Sequence, residues 1–83
     1  MRLRSGVALT STDYGAVLLD ERDGTYWQLN DSGAVIVSAL AEGLAPGAVA
    51  ERLAAEFDVD AAEAEADVRE LVRQLVEAKI VRP

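Results

Sequence analysis

Thr25-Tyr26-Trp27-Gln28-Leu29-Asn30-Asp31-Ser32-Gly33 is the stretch on which the fold of this chain turns. Thr25 to Leu29 is β-branched, aromatic and apolar, with alternating character. Thr25, Trp27 and Leu29 face one way, and Tyr26 and Gln28 face the other, which is the signature of a strand. Asn30, Asp31 and Ser32 then break the pattern. The side-chain oxygen of Asn30 or Asp31 can accept a hydrogen bond from an unpaired amide one turn on, so a helix starts here. Upstream the chain reads as short strands, and downstream as helices.

Immediately upstream, Glu21-Arg22-Asp23-Gly24 is a turn, and Asp-Gly between apolar runs is a strong hairpin signal. Its other arm is Ala16 to Asp20, with Val17 and Leu19 on one face. Gly6 to Thr10 alternates as a first strand with Val7 and Leu9 inward, followed by turn-like Ser11-Thr12-Asp13. These three strands form an antiparallel meander with one face to cover.

Helices supply the cover. Asp31 to Glu42 places Gly33, Ile36, Val37 and Leu40 on one stripe and stops at Gly43, a residue suited to the position just past a helix end. Pro46 suits the first turn of a second helix, in which Val49, Ala50, Leu53 and Phe57 recur at helical spacing. Asp60 with Glu63 has the spacing of a capping box and opens a third helix, Ala61 to Lys79. The apolar stripe of that helix is Ala64, Val68, Leu71, Leu75 and Ala78, widened by Val72 and Val76. A face this wide touches two things: one is the core, and the other is either a partner or the second helix. Ile80-Val81-Arg82-Pro83 is a tail able to pack back onto the sheet. The expectation is a single α+β domain over residues 1–83, with a three-stranded antiparallel sheet followed by three helices.

Composition excludes much chemistry. The 83 residues contain no cysteine and no histidine, so disulfides, thiol nucleophiles, imidazole bases and most zinc sites are ruled out. No run approaches the roughly 18 apolar residues of a membrane span, and the first residues lack an apolar signal core, so a cytoplasmic protein is expected. A net charge of −7, from 15 acids against 8 bases, repels phosphate backbones. That argues against a winged-helix nucleic-acid binder, which the element order alone would allow. It suits either a basic partner or plain solubility.

The acids do not assemble a catalytic or metal site. Asp20, Glu21 and Asp23 crowd one turn, but the calcium-loop pattern is missing, and a solvated turn is the reading. On the third helix Glu65–Arg69 and Glu70–Arg73 fall at ion-pair spacings. Ser32 has no base to activate it. Asp31-Ser32-Gly33 resembles the phosphopantetheine-bearing motif of carrier proteins. However, Gly33 replaces the large apolar residue of that motif, and strands precede it where carriers have a helix. No enzyme, metal or cofactor is expected. What remains is an opportunity for binding. If the strands lie in sequence order, Thr25 to Leu29 is an edge carrying Tyr26 and Trp27 and guarded by neither proline nor lysine. Such an edge beside a broad apolar helix face can accept an extended peptide as an added strand. Leu29 reads as core, whereas Tyr26, Trp27 and Gln28 read equally as core, surface or site.

Taken together, Gly24 to Gly33, then Ile36, Leu40 and Glu42-Gly43, then Val49, Leu53 and Phe57, then Asp67-Val68, Leu71 and Leu75 resemble the PqqD-like proteins in order and spacing, over roughly Ala16 to Val81. One departure is Lys79, where many members carry glycine. The resemblance implies a RiPP recognition element of winged-helix-like fold, a non-catalytic domain that binds the leader of a ribosomally made precursor peptide beside the third strand and against the third helix. It implies peptide contacts from Thr25, Tyr26, Trp27, Gln28 and Leu29, with Asp67, Val68, Leu71, Val72 and Leu75 as the opposite wall and Asp67 and Glu70 at its rim. A stand-alone chain of this kind is similar to the leader-binding proteins of lasso-peptide pathways. The implied partners there are a transglutaminase-like leader peptidase and a cyclase. A radical SAM enzyme is the neighbouring possibility.

Overall fold

The computed structural model describes residues 2–82. Its elements are β1 (Arg2–Leu3), β2 (Val7–Thr12), β3 (Gly15–Asp20), β4 (Thr25–Leu29), α1 (Asp31–Ala41), α2 (Pro46–Phe57), α3 (Ala61–Glu77) and β5 (Val81–Arg82). The sheet order β2-β3-β4 is fully antiparallel, so the expected meander and its three helices are present. Pro83 of the tail, like Met1, lies outside the described residues.

The register differs in detail from the sequence expectation. Thr12 pairs with Gly15, which makes a two-residue connection of Asp13-Tyr14 and places Ser11 and Thr12 in the strand. Gly15 is required here. Its φ is +143°, and a Cβ would come within 2.1 Å of the Leu29 carbonyl oxygen. The face carrying Val17 and Leu19 is the outer one. Leu18 pairs with both Leu9 and Trp27 on the inner face, where β3 and β4 meet α1, with Ala16, Leu18 and Asp20 buried.

At the junction, Asn30 is the N-cap of α1, and its side chain accepts from the Gly33 amide at 2.9 Å. The Ser32 hydroxyl donates to the same oxygen, so Ser32 serves the cap. Gly43, at φ +93°, closes α1, donating to the Leu40 carbonyl while Leu44 donates to that of Ala39. This is a Schellman closure, in which a left-handed residue satisfies the last carbonyls. Val49, Ala50 and Leu53 of α2 are buried, but Phe57 is more than a third exposed. It sits on the last turn, where the chain reverses at Asp58 in the left-handed region.

Two expectations at the ends of α3 fail. Asp60 is the N-cap, but its side chain makes no capping bond, so the capping box does not form. The helix stops at Glu77, leaving Ala78 exposed, and Lys79 turns out at φ +61°. Ile80 and Val81 are buried, yet the tail does not join the main sheet. Val81 pairs with Leu3 and Arg82 with Arg2 in a separate two-stranded ribbon, extended by the Arg4 amide donating to the Ile80 carbonyl. Two residues per strand are too few for a periodic signal, so the ribbon was not legible beforehand.

Candidate functional site

β4 is an edge: β3 pairs with one side of it, and among the described residues no strand bonds to the other. In an antiparallel pair alternate residues bond to the neighbour, so the remaining N–H and C=O groups of Thr25–Leu29 are turned outward. Trp27 stands on the inner face opposite Leu18 and is half-buried against the core. Tyr26 and Gln28 stand on the outer face, with Tyr26 70% exposed, and they reach a ligand on this edge only around the strand. Leu29 is 7% exposed and Thr25 exposed at the turn, where the Asp23 carboxylate accepts from the Thr25 amide and hydroxyl.

The α3 candidates fall into three environments. Val68 and Leu75 are 2% and 0% exposed, so they hold the helix to the core and present no surface to a peptide. Leu71 and Val72 are both half-buried against that core. Successive helical residues lie about 100° apart, so these two occupy opposite flanks of the buried stripe. Val72 lines a shallow groove of about 340 Å³ between α2 and α3, together with Pro46, Gly47, Ala50, Glu65 and Arg69, with the edge of Val68 at its floor. Leu71 and exposed Asp67 therefore share the flank turned away from that groove. The division between flanks depends on where α2 packs and could not be read from one helix alone.

The charges on α3 are largely engaged with one another. Arg73 contacts Glu70 at 2.6 Å and Glu77 at 2.9 Å, and Gln74 donates to Glu70 at 3.2 Å. The Arg73 and Gln74 hydrogen bonds hold the Glu70 carboxyl down to about 2, so it is ionised but already partnered, which leaves Asp67 as the free acid of the expected rim. Glu65 and Arg69 form no ion pair.

The β3–β4 turn is not a simple solvated acid cluster. Asp20 points inward and is only 4% exposed. Arg22 grips it in bidentate fashion, Nε to Oδ1 at 2.8 Å and Nη2 to Oδ2 at 2.7 Å, and its backbone amide donates to the same carboxylate. The Arg22 hydrogen bonds hold Asp20 below the usual carboxylate range. Arg22 Nη2 also donates to the Lys79 carbonyl at 2.7 Å, across to the end of α3. Sequence spacing gives no sign of a contact between residues 22 and 79.

Among the described residues no group of three His, Cys, Asp or Glu side chains could hold a metal ion, and no helix is long and apolar enough to cross a membrane. The candidate features are thus a free strand edge, a half-buried tryptophan and a helix flank with one leucine and one acid outside the ion pairs.

The family described as coenzyme PQQ synthesis protein D (PqqD) matches residues 15–81. The chain belongs to the PqqD family. It is also similar to two solved structures. One, described as lasso peptide synthetase B1 complexed with the leader peptide, is 46% identical, with a TM-score of 0.87 over 99% of this chain and 96% of that one. The other, TbiB1 in complex with the TbiA(beta) leader peptide, is 32% identical, with a TM-score of 0.87 over 96% and 93% of the respective chains. A comparison with curated proteins found no match.

Proposed function

We propose that this chain is a non-catalytic adaptor of RiPP biosynthesis that binds the leader segment of a precursor peptide by adding it as a strand to β4. The carrying observation is the open β4 edge with Trp27 on its inner face, in a fold shared with two proteins each described in complex with a leader peptide. Thr25 to Leu29 offer backbone pairing. Trp27 and Leu71 offer apolar anchors, with Leu29, Val68 and Leu75 behind them as support. Tyr26 and Gln28 contact side chains that curl over the edge, and Val72 lies at the far flank of α3. Asp67 speeds the encounter with a basic leader. The bound precursor is then concentrated at a cytoplasmic partner enzyme. The name of the 46% identical relative favours a lasso-peptide pathway, with a transglutaminase-like leader peptidase and a cyclase doing the chemistry, over a radical SAM enzyme.

The test is an amide-resolved titration with the leader peptides of the two relatives. Gly24 to Asn30 and the Leu71 flank of α3 are expected to shift together. If these resonances stay fixed while the α2–α3 groove responds, the assignment to β4 is wrong. A charged residue at Trp27 is expected to weaken binding in a protein whose circular dichroism is unchanged.

A further inference from the structure

The two sides of the proposed cleft share one hydrophobic core but a single polar contact. α3 packs chiefly on α2 and β5, and α1 carries the packing on β3. Among the described residues, the bond from Arg22 to the Lys79 carbonyl is the only hydrogen bond or ion pair between the β3–β4 hairpin and the α3 segment through Lys79. Each end of this link is fixed. At the hairpin, Asp20 is buried and holds the guanidinium by both oxygens, and the Arg22 stem runs beside Gly6, where a Cβ would lie 3.2 Å from its Cγ. At the helix, the Lys79 amide donates to the Val76 carbonyl and the Ile80 amide to that of Leu75, so the Lys79 carbonyl has a set direction. Asp20 is paired with Thr25, the first residue of β4. The link therefore pins the turn end of β4 to the C-terminal end of α3, while the Leu29 end of β4 is held by its continuation into the Asn30 cap of α1.

A planar, always charged fork that satisfies a carboxylate and a carbonyl together is a stiff spacer, which a point-charge ammonium does not reproduce. Stiffness matters at a strand-addition site, because a cleft already at the right width spares the ordering cost of closing around the peptide.

We propose that Arg22, held by Asp20, is a positioning residue that sets the spacing between the β4 edge and α3 at the closed end of the leader cleft. This rests on the strand-addition reading above. The experiment measures fluorescence polarisation of the two relatives' labelled leader peptides on the parent, Arg22→Gln, Asp20→Asn and the double variant, each with a thermal melt, and repeats Arg22→Gln in a Lys79→Gly background. Lys79→Gly keeps the carbonyl and relieves backbone strain, so it adds stability without restoring the fork. Arg22→Gln is expected to weaken leader binding roughly tenfold, chiefly through faster dissociation, and the double variant to add little, since the two residues act as one unit. Lys79→Gly is expected to raise the melting midpoint of Arg22→Gln by about 2–8 °C without recovering the affinity. In unbound Arg22→Gln, the Thr25, Tyr26 and Trp27 amides are expected to broaden and to sharpen again on saturation.

Arg22→Gln that folds and binds within twofold of the parent overturns the proposal. Recovery of affinity in step with the midpoint assigns the loss to stability and also overturns it. So does failure to fold in both backgrounds, which would make the link a folding requirement. A parent that binds neither leader defeats the strand-addition reading itself, an outcome distinct from any of these.

Discussion

Lys79→Gly should stabilise this protein, and the expected gain can be worked from the backbone. Lys79 sits one residue past the C-cap of α3 at φ +61° and closes the helix through its amide to Val76 and that of Ile80 to Leu75. Left-handed backbone costs a residue with a Cβ about 1–2 kcal/mol. Glycine removes that cost but adds about 0.5–1 kcal/mol of chain freedom to the unfolded state. The difference is a net stabilisation of about 0.5–1 kcal/mol. The Lys79 side chain is exposed and unpaired in the ion-pair network, so its removal offsets little of this, and the carbonyl that accepts from Arg22 is retained. At about 4–8 °C per kcal/mol for a domain of this size, the melting midpoint should rise by about 2–8 °C. Circular dichroism at the helix band, with a parallel urea melt, measures it. Asp58→Gly is the comparator: Asp58 is left-handed at φ +51°, but aspartate tolerates that region better, so its gain should be smaller. A midpoint for Lys79→Gly that does not rise, or that falls while the urea slope is unchanged, refutes the reading of Lys79 as a strained helix stop.

Gly15→Ala should lower stability by about 2 kcal/mol in urea unfolding, because a Cβ would meet the Leu29 carbonyl oxygen at a φ that side chains rarely adopt. Acid should weaken the fold through Asp20 and Glu70. Both carboxyls are held below their ordinary values of 3.8 and 4.5, Glu70 at about 2, so their contribution is present above the ordinary values and lost as pH falls through the folded ones. Melts from pH 7 down to pH 2 should drop mainly below about pH 4, and Asp20→Asn should flatten that drop. Leu71→Asp should weaken leader binding at least tenfold with the fold intact, whereas Val72→Asp, on the flank that lines the α2–α3 groove, should have a smaller effect; equal losses would show that both flanks take part.

Much of the architecture was legible because it rests on local signals. Asn30, Gly43 and Pro46 each do what their chemistry prescribes at a helix end, and the Asp23-Gly24 turn joins the strands expected of it. What was illegible depended on distant partners. Alternation shows that Val17 and Leu19 share a face but not which face is inward, since both sets in β3 are apolar until Asp20, and Asp20 is buried only because Arg22 satisfies it. The same limit applies to the site. The edge position of β4 follows from strand order, but the separation of Leu71 from Val72 needs α2 in place, and the Arg22–Lys79 contact joins the two ends of the chain. The PqqD-like pattern carried a set of wall residues without the distinction between the partly exposed ones and those, Val68 and Leu75, that are buried in the core.

Among the described residues the three-stranded sheet has two open edges, and magnitudes favour the proposed pairing at β4 over pairing at β2. Five edge residues offer about five outward backbone hydrogen bonds, worth a net of about 1 kcal/mol each. Association costs about 4–15 kcal/mol, so pairing alone does not hold a peptide on either edge. Burying about 200 Å² of apolar surface adds about 5 kcal/mol, enough to turn a balanced encounter into binding. Along β2 half-buried Val7 and Leu9 give way to exposed, polar Thr10, Ser11 and Thr12, so only the first half of an added strand there would meet apolar surface, and no aromatic. Along β4 the inner face carries Trp27, half-buried on the core that Leu71 also covers, and a peptide side chain directed there gains apolar burial at the same time as register. On the proposed reading, backbone pairing sets where the peptide lies, and the tryptophan and leucine set how tightly it stays. The corresponding experimental signature is a leader whose affinity falls steeply when one apolar side chain is removed and only mildly when its polar neighbours are changed.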